Sequence, residues 1–166
     1  DGTPYSGGLF FFDVHFPDTY PNEPPRVHLQ TTGGGRVRFN PNLYNNGKVC
    51  LSLLGTWRGT RGEGWDPRAS SLLQVLVSIQ SLILVPDPYF NEPGYNGRQG
   101  TPAGERESRK YNLNIRVQTV QHAMLAHRRA PPKGFETLVE KHFHHHGSFL
   151  EDQVEAWIQD CDGEEE

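Results

Sequence analysis

Cysteine is scarce in this chain, charge of either sign is nearly balanced, and no apolar run is long. The 166 residues include two cysteines, Cys50 and Cys161, which excludes a disulfide scaffold and leaves at most one bridge. Sixteen Lys and Arg against twenty Asp and Glu give a net charge of -4. Binding to nucleic acid by counterion release needs clustered positive charge, so no nucleic-acid partner is expected. The longest near-continuous apolar stretch, residues 72–85, is broken by Gln74, Ser78, Gln80 and Ser81. It falls short of the roughly 20 residues that a hydrocarbon core requires, and no membrane span is expected. Residues 1–5 carry neither a basic stretch nor a signal-peptide pattern, so nothing local points to a secretory route.

What the chain has instead is 18 glycines and 13 prolines beside a hydrophobic fraction of 34% and an aromatic fraction of 11%. That composition suits one folded domain rich in turns and irregular segments. Residues 9–16 are aromatic and β-branched, with Asp13 and His15 interrupting at period two, and read as a strand that Pro17 ends. Pro21, Pro24 and Pro25 stiffen the connection to a second strand at residues 27–30. Gly33-Gly34-Gly35 lacks the lysine and following Ser or Thr of a phosphate loop and reads as a turn. A third strand is expected at residues 36–39, giving an antiparallel meander.

Residues 40–65 hold no sustained period and are dominated by Asn, Gly and Pro. A long irregular segment inside a compact domain points to function. Ser70 or Ser71 caps a helix whose buried face is Leu72, Val75, Leu76, Ile79, Leu82 and Ile83, and the apolar Leu73, Val77 and Leu84 make that helix central. Further helices are expected at residues 105–128, with Leu113, Val117, Val120 and Met124 on one face, then around Phe135 to His142, and after Ser148 with Leu150, Val154, Trp157 and Ile158. The chain divides into a domain of residues 1–160 and an acidic tail, 161–166. The fold class is α+β, strands first and helices last.

Two clusters invite chemistry. Cys50 lies just beyond Asn45-Asn46-Gly47-Lys48. It reads either as a buried thiol between Val49 and Leu51, or as a nucleophile with backbone amides and Asn42 close to its sulfur. A His-paired protease arrangement would need His15, His28, His122 or His127 brought in by folding. His142 and His146 are one helical turn apart and could share a zinc ion; the plainer reading of His142, His144, His145 and His146 is a polar helix end near the C-terminal dipole.

Tyr20-Pro21 followed by Pro24-Pro25, then Asn40-Pro41-Asn42-Leu43, Asn46-Gly47-Lys48-Val49-Cys50-Leu51 and Trp65-x-Pro67 leading into the helix, resemble the catalytic domain of ubiquitin-conjugating enzymes. Residues 39–57, 72–85 and 88–95 resemble the subgroup embedded in very large proteins, where a conjugating enzyme is also a ligase, carries a baculoviral repeat and inhibits apoptosis. The resemblance covers residues 1 to about 160. It implies the ubiquitin-conjugating fold, a short antiparallel meander packed on a central helix with C-terminal helices, whose N-terminal helix and first strand are expected upstream of Asp1.

The resemblance also implies roles. Cys50 falls where the family holds ubiquitin as a thioester received from the activating enzyme. Asn42 falls where an asparagine supports the active-site loop and the developing oxyanion, and Asn40 replaces the family histidine with a carboxamide that stays neutral at every relevant pH. Glu92 is the candidate for the acidic residue that orients and deprotonates the incoming lysine. Asn22 and Arg68 stand where the family offers apolar contacts to ligases, so transfer without a separate ligase is expected. The implied partners are ubiquitin, the activating enzyme, protein substrates with acceptor lysines, and other domains of a very large parent. The implied location is the cytoplasm. No bound cofactor is expected, ATP being used by the activating enzyme. Trp57, Arg58, Arg61 and Glu63, just downstream of Cys50, read as a site-shaping insertion or as a solvated loop. A non-catalytic scaffold that binds ubiquitin or another partner remains the alternative, with the presence of Cys50 as the feature that separates the two.

Overall fold

The computed structural model describes residues 2–57 and 62–162. Arg58, Arg61 and the end of the expected acidic tail, residues 163–166, lie outside the described residues, as does the side chain of Cys161. Strand β1 (Phe12–His15) pairs antiparallel with β2 (Arg26–Leu29), Phe12 opposite Leu29 and His15 opposite Arg26. Period-two alternation puts Phe12, Val14, Val27 and Leu29 on the drier face and leaves Asp13, His15, Arg26 and His28 exposed.

The third strand expected at residues 36–39 is not formed. Gly33, Gly34 and Gly35 all have positive φ, and the turn they make brings the amides of Arg36 and Val37 onto one carbonyl, that of Thr32, at 3.1 and 2.9 Å. Those donors are therefore unavailable for a ladder. Val37 and Phe39 are buried all the same, so their apolar alternation marks core contact rather than strand pairing. The free edge of β2 is met by a different segment: Leu29 donates to the Gly47 carbonyl at 2.8 Å, and His28 bridges to Lys48. Gly47 has φ of 83°, and a Cβ there would overlap the His28 ring and lie 2.7 Å from the Leu29 carbonyl oxygen. Only glycine fits that approach.

Ser71 caps helix α1 (Leu72–Ser78) in a reciprocal capping box with Gln74, and the chain continues through a π-helical turn, Ile79–Ile83. Val75, Ile79 and Ile83 are buried, packing with Leu29, Phe39, Leu43, Val49 and Leu51 in the main core. Leu73, Leu76, Val77 and Leu82 are exposed, so of the expected face Val75, Ile79 and Ile83 are buried, Leu72 packs beside them, and Leu76 and Leu82 turn outward. Helix α2 (Pro102–Gln118) passes through a second π-helical turn, Thr119–Leu125, into α3 (Ala126–Arg129). Its buried side is Gly104, Ser108, Ile115, Thr119, Ala123 and Met124 rather than the expected Leu113, Val117 and Val120. Small residues win because the N-terminal turn lies close: Thr119 donates to the Pro4 carbonyl at 2.9 Å, Leu9 donates to the Ala123 carbonyl at 2.9 Å, and a Cβ on Gly8 would stand 2.8 Å from Thr119. Helices α4 (Glu136–His145) and α5 (Gly147–Asp162) complete the fold; α5 starts before Ser148, and Leu150 and Trp157 pack with Met124 in a second cluster.

His127 joins α3 to the first segment. Its Nε2 lies 3.2 Å from the Thr31 hydroxyl, which itself accepts from the Phe11 amide at 3.0 Å, and its ring meets the Phe11 ring edge-on at 4.8 Å. Burial holds the imidazole below its usual range, offset in part by a backbone hydrogen bond with Leu9. The unfolded chain therefore takes up this proton first as pH falls. The stability contributed by the neutral ring is whole above about pH 6.5 and is lost as pH drops through the lower folded value. Urea midpoints measured from about pH 7.5 down to about pH 5.5 should fall less steeply for His127→Gln than for wild type; equal slopes would count against a neutral His127.

Candidate active site

The segment around Cys50 is fixed by its neighbours' hydrogen bonds. The Cys50 amide donates to the Asn42 carbonyl at 2.9 Å, and the Asn42 side-chain amide donates back to the Cys50 carbonyl at 3.0 Å. On the other side, Leu51 donates to the Thr56 hydroxyl oxygen at 3.0 Å, and that hydroxyl donates to the Val49 carbonyl at 2.6 Å. Both peptide groups flanking Cys50 are thereby held. Val49, Cys50 and Leu51 are all buried, Cys50 as a free thiol at 2% exposure, and Val49 and Leu51 pack in the main hydrophobic cluster.

Beneath this segment lies Asn40, fully buried. Its Nδ2 donates to the Tyr5 hydroxyl at 3.0 Å and to the Ile83 carbonyl at 2.7 Å; its Oδ1 accepts from the Asn42 amide at 2.8 Å and from Asn91 Nδ2 at 3.4 Å. The Tyr5 hydroxyl donates to the Phe39 carbonyl at 2.9 Å, and Asn91 also donates to the Leu82 carbonyl at 2.9 Å. Burial pushes the Tyr5 phenol far up, with the Asn40 hydrogen bond opposing and Tyr111 adding to the rise. Tyr5 stays a neutral donor, so the network has no ionisable member near neutrality.

Glu92 lies just after the turn at residues 88–91, where its carboxylate pairs with Arg38 at 3.3 Å. Arg38 also donates to the Pro41 carbonyl at 2.7 Å and lies 4.5 Å from the centre of the Tyr44 ring. Of the four residues singled out from sequence, the hydrogen bonds join Asn40, Asn42 and Cys50 directly, and Glu92 enters through Arg38. Tyr5, Arg38, Thr56 and Asn91 were not legible as participants. Only the proximity of Thr56 to Cys50 in sequence offered a signal.

The remaining expectations separate by exposure. Asn22 and Arg68 are both exposed, and their loops are tied by Trp65, whose indole N–H donates to the Pro21 carbonyl at 2.6 Å. Trp57 is 38% exposed rather than packed. Among the described residues no three His, Cys, Asp or Glu side chains converge on a metal position. The imidazole of His142 donates from Nε2 to the Gly7 carbonyl at 2.9 Å and stacks loosely against His146. Among the described residues no helix is long and apolar enough to cross a membrane.

A family model described as ubiquitin-conjugating enzyme matches residues 1–119. Over 158 residues the chain is 58% identical to the dual E2 ubiquitin-conjugating enzyme/E3 ubiquitin-protein ligase BIRC6 of Mus musculus, and 57% identical to that of Homo sapiens. Each alignment takes in 95% of this chain and 3% of the relative. The probable ubiquitin-conjugating enzyme protein 17 of Caenorhabditis elegans is 52% identical over 158 residues, 95% of this chain and 22% of that one. The chain thus spans a small fraction of the length of these relatives.

Proposed function

The chain belongs to the ubiquitin-conjugating enzyme family, and from that premise we propose that Cys50 takes ubiquitin from the activating enzyme as a thioester and passes it to lysine amines. The observation that carries this reading is the way Cys50 is held, with both neighbours in the core and its flanking peptides fixed by the side chains of Asn42 and Thr56. The thiolate attacks the carbonyl carbon of the incoming thioester, and the activating enzyme's sulfur leaves. In the second step the lysine nitrogen attacks the same carbon: the C–N bond forms, the C–S bond breaks, and the electron pair returns to Sγ of Cys50. With the residue only 2% exposed, Cys50 meets either carbonyl only after neighbouring side chains move aside.

Asn42 has two amide hydrogens and spends one on the Cys50 carbonyl. The second serves the oxyanion that develops during attack, where one aimed donor lowers the barrier by a few kcal/mol. Glu92 orients the lysine and accepts its proton. ATP is consumed by the activating enzyme, and the chain's own chemistry needs no bound cofactor. Transfer without a separate ligase is supported by the dual conjugating and ligating names of the mouse and human relatives and by exposed polar Asn22 and Arg68 at the two tied loops. The likeness to large relatives extends the reading to a cytoplasmic parent protein that regulates apoptosis, whose other domains meet this one.

The test is thioester formation. Full-length protein is incubated with activating enzyme, ATP and ubiquitin and resolved without reductant. A thiol-sensitive adduct is expected for wild type and none for Cys50→Ala. Absence of the adduct from folded wild-type protein would overturn the reading and favour a binding module.

A further inference from the structure

One guanidinium, that of Arg38, joins the segment that leads to Cys50 to the segment that carries Glu92. It donates to the carbonyl of Pro41, between Asn40 and Asn42, at 2.7 Å and pairs with the Glu92 carboxylate at 3.3 Å. It lies 4.5 Å from the centre of the Tyr44 ring. The side chains of Arg38 and Glu92 are 42% and 38% exposed, so the pair is open to solvent, and as a surface ion pair it contributes little to stability. Its geometry does more than its energy. Both contacts are made by one nitrogen, Nη2, whose two hydrogens serve the carbonyl and the carboxylate at once, and the planar guanidinium fixes the angle between them.

The neighbouring hydrogen bonds extend the same connection. Asn91, adjacent to Glu92, is fixed to the Leu82 carbonyl and to Oδ1 of Asn40. Tyr111 faces the pair from helix α2; burial pushes its phenol up to about 12, with Arg38 opposing and Glu92 adding to the rise. It carries no charge that would compete for Arg38 near neutrality. Glu92 is thus placed relative to the Cys50 loop by two routes, Asn91 through Asn40 and Arg38 through Pro41. The second ends on a residue that never meets the thioester.

We propose that Arg38 is a positioning residue for lysine attack, holding the Glu92 carboxylate at a fixed distance from the Cys50 loop. This rests on the reading of Cys50 as the thioester carrier and of Glu92 as the group that takes the lysine's proton. As the lysine nitrogen bonds to the thioester carbon and the C–S bond breaks, one amine proton passes to Glu92 and then to water. Arg38 keeps Glu92 in line for that transfer and itself exchanges nothing.

The experiment loads the full-length protein with ubiquitin, removes the activating enzyme's ATP, and follows discharge per mole of preformed thioester to free lysine and, separately, to hydroxylamine. Hydroxylamine is largely unprotonated at neutral pH and has little need of an acceptor carboxylate. Arg38→Gln should slow discharge to lysine about tenfold, since small misplacements of a catalytic group carry costs of that order or larger. Discharge to hydroxylamine should stay within about twofold of wild type. Arg38→Lys should fall between, and Arg38→Gln combined with Glu92→Gln should be no slower than Glu92→Gln alone. Lysine discharge unchanged in Arg38→Gln overturns the proposal. So does an equal loss toward both nucleophiles, which would mark a distorted Cys50 loop. If wild type forms no thioester, the reading beneath the proposal fails instead, and the proposal falls with it.

Discussion

Replacing Asn40 by leucine should cost the folded state about 3 kcal/mol, the sum of two or three buried polar groups left without partners at about 1–3 kcal/mol each. Leucine keeps the branched shape but is bulkier, and it answers none of the four hydrogen bonds that Asn40 makes. The Asn42 amide and the Ile83 carbonyl lose partners outright. Tyr5 loses a donor to its oxygen but keeps its bond to the Phe39 carbonyl, and Asn91 keeps Leu82. The loss should appear in the urea midpoint with an unchanged denaturant slope, because the surface exposed on unfolding is the same. A loss below about 1 kcal/mol would mean that water or rearrangement satisfies these groups and that Asn40 is not the hub of the network.

For Asn42→Ala the larger expected effect is kinetic. Discharge of ubiquitin from Cys50 to lysine should slow about a hundredfold, the usual consequence of removing one donor from a developing oxyanion. Loading of Cys50 passes through a similar oxyanion but exchanges one sulfur for another. A thiolate attacks and leaves more readily than an amine does, so that step should suffer less. Truncation also frees the Cys50 carbonyl from its 3.0 Å bond while leaving the backbone bond from Cys50 to the Asn42 carbonyl in place. The loop therefore keeps one of its two ties. Single-turnover chases of preformed thioester measure the step directly; discharge within about threefold of wild type would remove Asn42 from the proposed chemistry and leave it a loop support.

The strength of the apolar periodicity was no guide to which side of a helix the fold would bury. In α1 and its π-helical continuation the sequence offers apolar residues around most of the circumference, and the row of Val75, Ile79 and Ile83 is buried with Leu72 and Leu84 packed beside it, while Leu73 and Leu82 face outward. In α2 and the turn after it the stripe of Leu113, Val117 and Val120 is the more obvious, yet Thr119 and Ala123 are buried where the chain's first turn approaches too closely for large side chains, and Ser108 is buried with its hydroxyl on Asp87. Residues 36–39 alternate as a strand would and are packed as one, but Thr32 takes two of their amides.

Sequence by itself determined the α+β class, the two strands that do pair, a serine cap at the start of α1, the presence of a helix beginning near Phe135, and the positions of Cys50, Asn42 and Asn40 in a single short segment. Those are local properties, written in side-chain period, in proline and glycine, and in the spacing of a few residues. Tertiary structure alone decided that Tyr5 sits under Asn40, that Asn91 reaches the same carboxamide, and that Arg38 joins Pro41 to Glu92. These contacts span 35, 51 and 54 positions in the chain where they run furthest. A hydrogen bond at that separation leaves no period and no spacing to read, because what selects its partners is the packing of whole elements against one another.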